Sequence, residues 1–220
     1  WLQEVSYPDQ ALGRSILGPT ERVSSFQAED LRGFVAEHYG PGQMVLAAAG
    51  AVDGELKATL AVNVVTTSGS SSRVGRLVVG QIHAKDDEPV RLYYRKLPGH
   101  QRGSIYAAHE INGGDDIYYE IVGSKSSSAS DPENGIALDQ IWSYEILAQG
   151  NQLWVTIRSG DLDGEILGTT DIDMSMSGYD IADDFMYFKA GAYNQNNTSD
   201  GGLADDFAQV TFYQLEASHN

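Results

Sequence analysis

From about Gly54 to its end the sequence predicts an all-β protein, an antiparallel sandwich or jelly roll. Three observations carry this reading. Strand-length apolar and aromatic runs recur about every dozen residues; clusters of Gly, Asn, Asp and Ser separate them; and the helical period of the first forty residues is absent afterwards.

The N-terminal segment predicts one helix. In "SSFQAEDLRGFVAEHY" (24–39), Ser24 or Ser25 is placed to cap the N-terminus, and Glu29 and Asp30 suit the first turn. Leu31, Phe34, Val35 and His38 share one face before Gly40 and Pro41 stop the helix. Periodicity cannot decide whether "MVLAAAGAV" (44–52) is a short strand or a helix. Nine strand runs then follow: "ELKATLAVNVV", "RVGRLVVGQIH", "VRLYYRKL", "GSIYAAHE", "DIYYEIVG", "WSYEILAQ", "QLWVTIRS", "MYFKAGAYNQ" and "AQVTFYQLEAS". "TTSGSSS" (66–72) and "SKSSSASDPENG" (124–135) are loops by composition. "DLDGE" (161–165) falls short of a calcium loop's ligand spacing and reads as a turn.

Composition narrows the function classes. With 220 residues, 41% of them hydrophobic, the chain can bury a real core. No apolar run is long enough to span a membrane. The chain opens on Trp1 without a signal peptide, which reads as a mature form or a piece of a longer protein. Zero cysteines exclude disulfides, thiol catalysis and cysteine metal sites. A net charge of −17 argues against nucleic acid, whose phosphates need a basic face. Yet Arg73, Arg76, Lys85, Arg91, Arg95, Lys96 and Arg102 are half of the 14 Lys and Arg, gathered in one short window. Such a cluster can focus a local positive field; the alternative is a solvated strand face.

A period of two sorts the side chains. In "VVGQIH" it puts Val79, Gln81 and His83 on one face and Ile82 on the other. In "YFKAGAYNQ" it groups Tyr187, Lys189, Tyr193 and Gln195, with Phe188, Ala190 and Ala192 behind. A Gln, a His, a Lys and a Tyr on one concave sheet suit a polyuronate. Amide and cations pair with a sugar carboxylate and so acidify the neighbouring ring proton. A neutral His or a Tyr can take that proton, and a Tyr hydroxyl can protonate the leaving oxygen. This β-elimination needs neither metal nor cofactor.

"GQIHAKDDEPVRLYYRKLPG" (80–99), "YFKAGAYNQNNT" (187–198) and the closing "VTFYQLEASHN" resemble alginate lyases of polysaccharide lyase family seven, from about Ala51 to Asn220. The resemblance implies a β-jelly roll with a deep groove, alginate as partner, a monomer, and a secreted or periplasmic location. It makes Gln81 a carboxylate neutraliser, His83 a neutraliser or the base, and Tyr193 the acid and a second candidate for the base. Lys189 and Gln195 then line sugar subsites, with Lys85, Arg91, Arg95 and Tyr187 as further substrate-binding candidates. Ile82 between Gln and His implies a preference for guluronate-rich blocks. The family's Arg-x-Glu-Leu-Arg motif is missing here, and with it one carboxylate neutraliser. Arg76 is the nearest substitute, but its even number against 81 and 83 puts it on the opposite face of an undisturbed strand.

Residues 1–50 take the place of the family's first strands. They resemble an internal piece of a mitochondrial-processing-peptidase-like zinc peptidase, without its His-x-x-Glu-His metal motif. The chain therefore reads as two unrelated segments joined near "AAAGAVDGE". Competing readings are an impaired alginate-binding jelly roll, a peptidase-derived fragment, and a glycoside hydrolase. The last needs two carboxylates on the groove; Glu110, Asp115 and Asp116 read instead as loop residues.

Overall fold

The structure is a computed structural model that describes residues 24–30, 32–33, 46–50, 53–181 and 185–219. The chain divides into two compact units, Trp1–Gly40 and Pro41–Asn220. In the first, residues 24–25, 28–30 and 32–33 are helical and exposed. Asp30 accepts the Gln27 backbone N–H at 2.8 Å. That is the reach-back half of a capping box, and it sets the cap at Gln27 rather than at Ser24 or Ser25. Leu31, Phe34, Val35 and His38 lie outside the described residues. No described helix is long and apolar enough to cross a membrane.

The second unit is two antiparallel sheets. Its strands are β1 (Leu46–Gly50), β2 (Gly54–Val64), β3 (Arg76–His83), β4 (Val90–Arg95), β5 (Arg102–Glu110), β6 (Asp116–Val122), β7 (Ile136–Ala137), β8 (Trp142–Gln149), β9 (Gln152–Ser159), β10 (Ile166–Asp173), β11 (Met186–Asn194) and β12 (Gln209–His219). The larger sheet runs β1-β11-β3-β4-β5-β6, with β7 also on β5; the smaller runs β10-β9-β8-β2-β12. All nine expected runs form strands. The ambiguous stretch at 44–52 supplies β1, which pairs with β11. β10, "ILGTTDID", was not expected: it is an edge strand whose eight residues include one that is buried, so its apolar alternation is weak. "DLDGE" is the turn of the β9–β10 hairpin, with Gly164 N–H on the Asp161 carbonyl at 3.0 Å.

Leu56, Leu60, Trp142, Ile146 and Val155 of the smaller sheet meet Leu77, Leu92, Ile105 and Phe188 of the larger in one buried core. The outward face of the smaller sheet is more open to water, as the alternating burial of β9 shows. The larger sheet differs: β3, β4 and β5 are buried almost continuously. Val78, Tyr93, Tyr106 and Ala108 form a second cluster on its other, concave face.

One irregularity decides what that face contains. The β3–β4 register shifts between Val78 and Gly80, so Val79 is an extra residue. The alternation therefore fails there: Val79 packs with Ile82 in the core, not beside Gln81 and His83. The bulge also brings Arg76 onto the concave face, over the Tyr93 ring at 5.3 Å. Tyr144 of β8 holds the kink from below. Its hydroxyl donates to the Val79 carbonyl at 3.0 Å, and a Cβ on Gly80 would meet that hydroxyl at 2.7 Å. Only glycine leaves room for this contact.

Candidate active site

Gln81 and His83 follow the bulge on β3 and face the groove. In the β11 register Lys189 stands opposite Gln81, and Tyr187 opposite His83. A further irregularity between Ala190 and Tyr193 places Tyr193 opposite Val78. Gln81, His83, Lys189 and Tyr193 then line one cavity of about 530 Å³, over Val78, Gly80 and Ala190. Ala192, expected behind the strand, sits in this irregular stretch and is exposed at the cavity edge.

Each group is held differently. Gln81 is buried, whereas Tyr193 is 59% exposed, so its hydroxyl can meet a ligand arriving from water. The His83 ring stacks on Tyr187 at 5.3 Å between centroids. Its Nδ1 hydrogen-bonds to the Ala84 carbonyl, which fixes that nitrogen as a donor and leaves Nε2 toward the cavity, 3.4 Å from Glu88. The Lys189 ammonium sits 4.9 Å from the centre of the Tyr187 ring. His109, by contrast, is buried with Nδ1 against the Pro89 carbonyl at 2.7 Å and Nε2 against the Ser177 hydroxyl at 2.6 Å. It has no nitrogen left for a substrate.

The other expected binding residues separate. Lys85 is exposed in the β3–β4 turn. Gln195 donates its backbone N–H to the Arg76 carbonyl at 3.1 Å, farther along β3 from His83. Arg95 is buried and donates to the Lys125 carbonyl at 2.7 Å and to the carbonyls of Val74 and Ser71. Arg91 is on the concave face but engaged by three carboxylates: Glu88 at 3.7 Å, Glu110 at 3.3 Å, and Asp116.

Those carboxylates correct the reading of Glu110 and Asp116 as loop residues. They are the last residue of β5 and the first of β6, paired directly in register. Burial, and a hydrogen bond shared with Glu88, raise the Glu110 carboxyl above its ordinary range, against the pull of Arg91. A pair tied to one guanidinium does not serve as the two free carboxylates of a glycoside hydrolase. Among the described residues no group of three or more His, Asp or Glu is placed to hold a metal ion. Sequence reasoning missed Glu88, although it lies inside the quoted 80–99 stretch, and the bulge, which the lone Gly80 inside an apolar run did signal.

Comparison with known proteins agrees with this architecture. A family model described as alginate lyase matches residues 36–219, beginning earlier than the expected boundary near residue 51. An alginate lyase of Klebsiella pneumoniae is 51% identical over 181 residues, which are 78% of this chain and 57% of that protein. The chain thus spans little more than half the length of that relative. A crystal structure of the alginate lyase from Klebsiella pneumoniae superposes with a TM-score of 0.71 at 47% identity, covering 76% of this chain and 60% of that one. An exolytic alginate lyase from Zobellia galactanivorans shares the fold with a TM-score of 0.68 at 24% identity, over 81% of this chain and 78% of that one. A shorter similarity, 48% identity over 54 residues, links 24% of this chain to 12% of the mitochondrial-processing peptidase subunit beta of Saccharomyces cerevisiae. Family match, fold and the groove-lining Gln81, His83, Lys189 and Tyr193 lead to one conclusion: the chain belongs to the alginate lyase family.

Proposed function

We propose that this chain cleaves alginate, with a preference for guluronate-rich blocks, by β-elimination. The observation that carries this reading is the meeting of an amide, an imidazole, an ammonium and a phenol in one cavity, from strands more than a hundred residues apart in sequence. Gln81 and Lys189, neighbours in register, bind the uronate carboxylate and draw charge from it, so that the adjacent ring proton becomes acidic. His83 Nε2 or the Tyr193 hydroxyl takes that proton. The electron pair forms a carbon–carbon double bond as the glycosidic bond breaks, and the departing oxygen receives a proton from Tyr193. The products are a new chain end and an unsaturated uronate. Such a polymer is met outside the cell, which fits a secreted or periplasmic enzyme.

The test is ultraviolet absorbance of the unsaturated uronate during incubation with polyguluronate. A rising signal supports lyase action; reducing ends without that absorbance would point to hydrolysis.

A second reading has one observation in its favour. β1, paired along the other edge of β11, is Leu-Ala-Ala-Ala-Gly and brings no cation beside Lys189. A chain that binds polyguluronate without releasing unsaturated ends would be an alginate-binding jelly roll with impaired catalysis. Replacing residues 1–50 by an N-terminus carrying the arginine motif then separates the two, since recovered activity identifies the missing strand as the cause.

A further inference from the structure

A second cavity of about 500 Å³ opens on the same concave face, toward the Arg76 end of β3. Its aromatic floor is Tyr106 and Tyr118. Arg76 reaches into it from β3, its guanidinium 5.3 Å from the centre of the Tyr93 ring and its buried Nε lacking a partner. Lys125 closes the far wall, its ammonium 4.1 Å from the centre of the Tyr118 ring. Arg95 beneath adds a third positive charge, although its donors are already engaged by backbone carbonyls.

The single carboxylate in this lining, Glu120, accepts from the Ser124 hydroxyl and the Lys125 backbone N–H, at 2.7 and 2.8 Å. Those bonds hold it ionised and pointed at the loop. Three cations against one acid, in a chain of net charge −17, make a local positive field. Ser72 and Ser126, from the two serine-rich loops, add hydroxyls at the rim. Cations for a carboxylate and hydroxyls for hydroxyls are the complement of a uronic acid, with half-buried Tyr118 beside the sugar ring and Tyr106 buried beneath.

The His83 end of the groove has the opposite sign. Arg91 stands opposite Gln81 on β4, and the Glu110–Asp116 pair one step farther on, with Glu88, outnumbers it. Arg76 and Gln81 are five residues apart on β3, roughly 15 Å, which is several sugar rings rather than one. We propose that the second cavity is a subsite that holds the carboxylate of a uronate several rings away from the bond that breaks. The polymer is then gripped mainly on one side of the cleavage point, and the acidic end opposes its extension past His83. This inference rests on the polyuronate reading above and adds where the chain lies.

The experiment is titration calorimetry of the full chain with a long oligoguluronate, beside a lyase assay on polyguluronate. The variants are Arg76→Ala/Lys125→Ala and, because Arg76 is partly buried, the exposed-site variant Lys125→Glu. Loss of a charge-assisted contact lowers affinity about tenfold, so both variants are expected to bind the oligomer at least that much more weakly and to raise KM for polymer more than they lower kcat. Affinity and KM unchanged in Lys125→Glu would overturn the subsite. If the wild type releases no unsaturated uronate yet binds the oligomer, and the variants lose that binding, the subsite stands and the lyase reading falls.

Discussion

The two ends of the concave sheet lie on the same strands and carry opposite charge. Toward His83, three carboxylates surround Arg91; toward Arg76, three cations surround one engaged carboxylate. A net charge of −17 therefore says little about what the groove attracts. Charge acts over a Debye length of about 8 Å in physiological salt. A ligand therefore feels the residues of one end and not the sum over the chain. The proposed chemistry belongs to the β11 side of the sheet, where Gln81, Lys189 and Tyr193 line one cavity.

The largest effect is expected from Tyr193→Phe, which removes a proton donor and leaves the ring. Turnover should fall by about 10²–10⁴, while calorimetric affinity for oligoguluronate stays within a few-fold, because the cationic end still grips the polymer. Loss of affinity in step with turnover would erase the division between a reacting end and a holding end.

Arg91→Ala sharpens the contrast by leaving Glu88, Glu110 and Asp116 facing one another without a cation. Breaking such a partly buried network costs on the order of 3 kcal/mol, read as a lower thermal midpoint at pH 7. The loss should shrink toward pH 4 as the carboxylates take up protons. A loss independent of pH would mean that Arg91 matters through packing alone.

Gly80→Ala tests the bulge that joins the ends. The added methyl meets the Tyr144 hydroxyl at 2.7 Å, inside contact distance. Overpacking of this kind costs about 1–3 kcal/mol, and the kink that aligns Arg76 with Gln81 should shift. The ring carbons Cζ and Cε2 of Tyr144 are also within 2.8 and 3.0 Å of that methyl, so the double variant Gly80→Ala/Tyr144→Phe, which removes only the oxygen, should recover little stability. Full recovery would place the strain on the hydroxyl alone.

The smallest effect belongs to Glu110→Gln. The folded carboxyl is raised above 4.5, so the folded state holds its proton more tightly than the unfolded chain does. Its favourable contribution is present below the unfolded value and is lost as pH rises through the raised folded one. Glutamine has no such loss. The variant should gain on the wild type from about pH 4.5 upward, by less than about 1 kcal/mol. A gain confined to lower pH would reverse the assignment.

Much of this was legible in the sequence. Strand runs with period two and separating turns predicted the sandwich. Gln-Ile-His and Tyr-Phe-Lys-Ala-Gly-x-Tyr-x-Gln together contain Gln81, His83, Lys189 and Tyr193, which line one cavity, as well as Gln195, which lies apart from them. What escaped depends on contacts between distant segments. Parity sent Arg76 to the wrong face because one extra residue, Val79, resets the alternation, and its cause is a tyrosine on another sheet. The expected roles of Arg91 and Arg95 followed from charge alone; only the fold brings up the carboxylates and carbonyls that engage them. β10 escaped because an exposed edge strand has little apolar pattern to read.

On the proposed reading the polymer reacts over Gln81, Lys189 and Tyr193 while lying toward Arg76 and Lys125. A crystal structure of the slow Tyr193→Phe variant with bound oligoguluronate measures this directly. One uronate carboxylate should lie against Gln81 and Lys189, with the remaining sugars running past Arg76 and Tyr118 to Lys125. Sugars extending instead past His83 over Glu88 and Asp116, or bound away from the concave face, would contradict it.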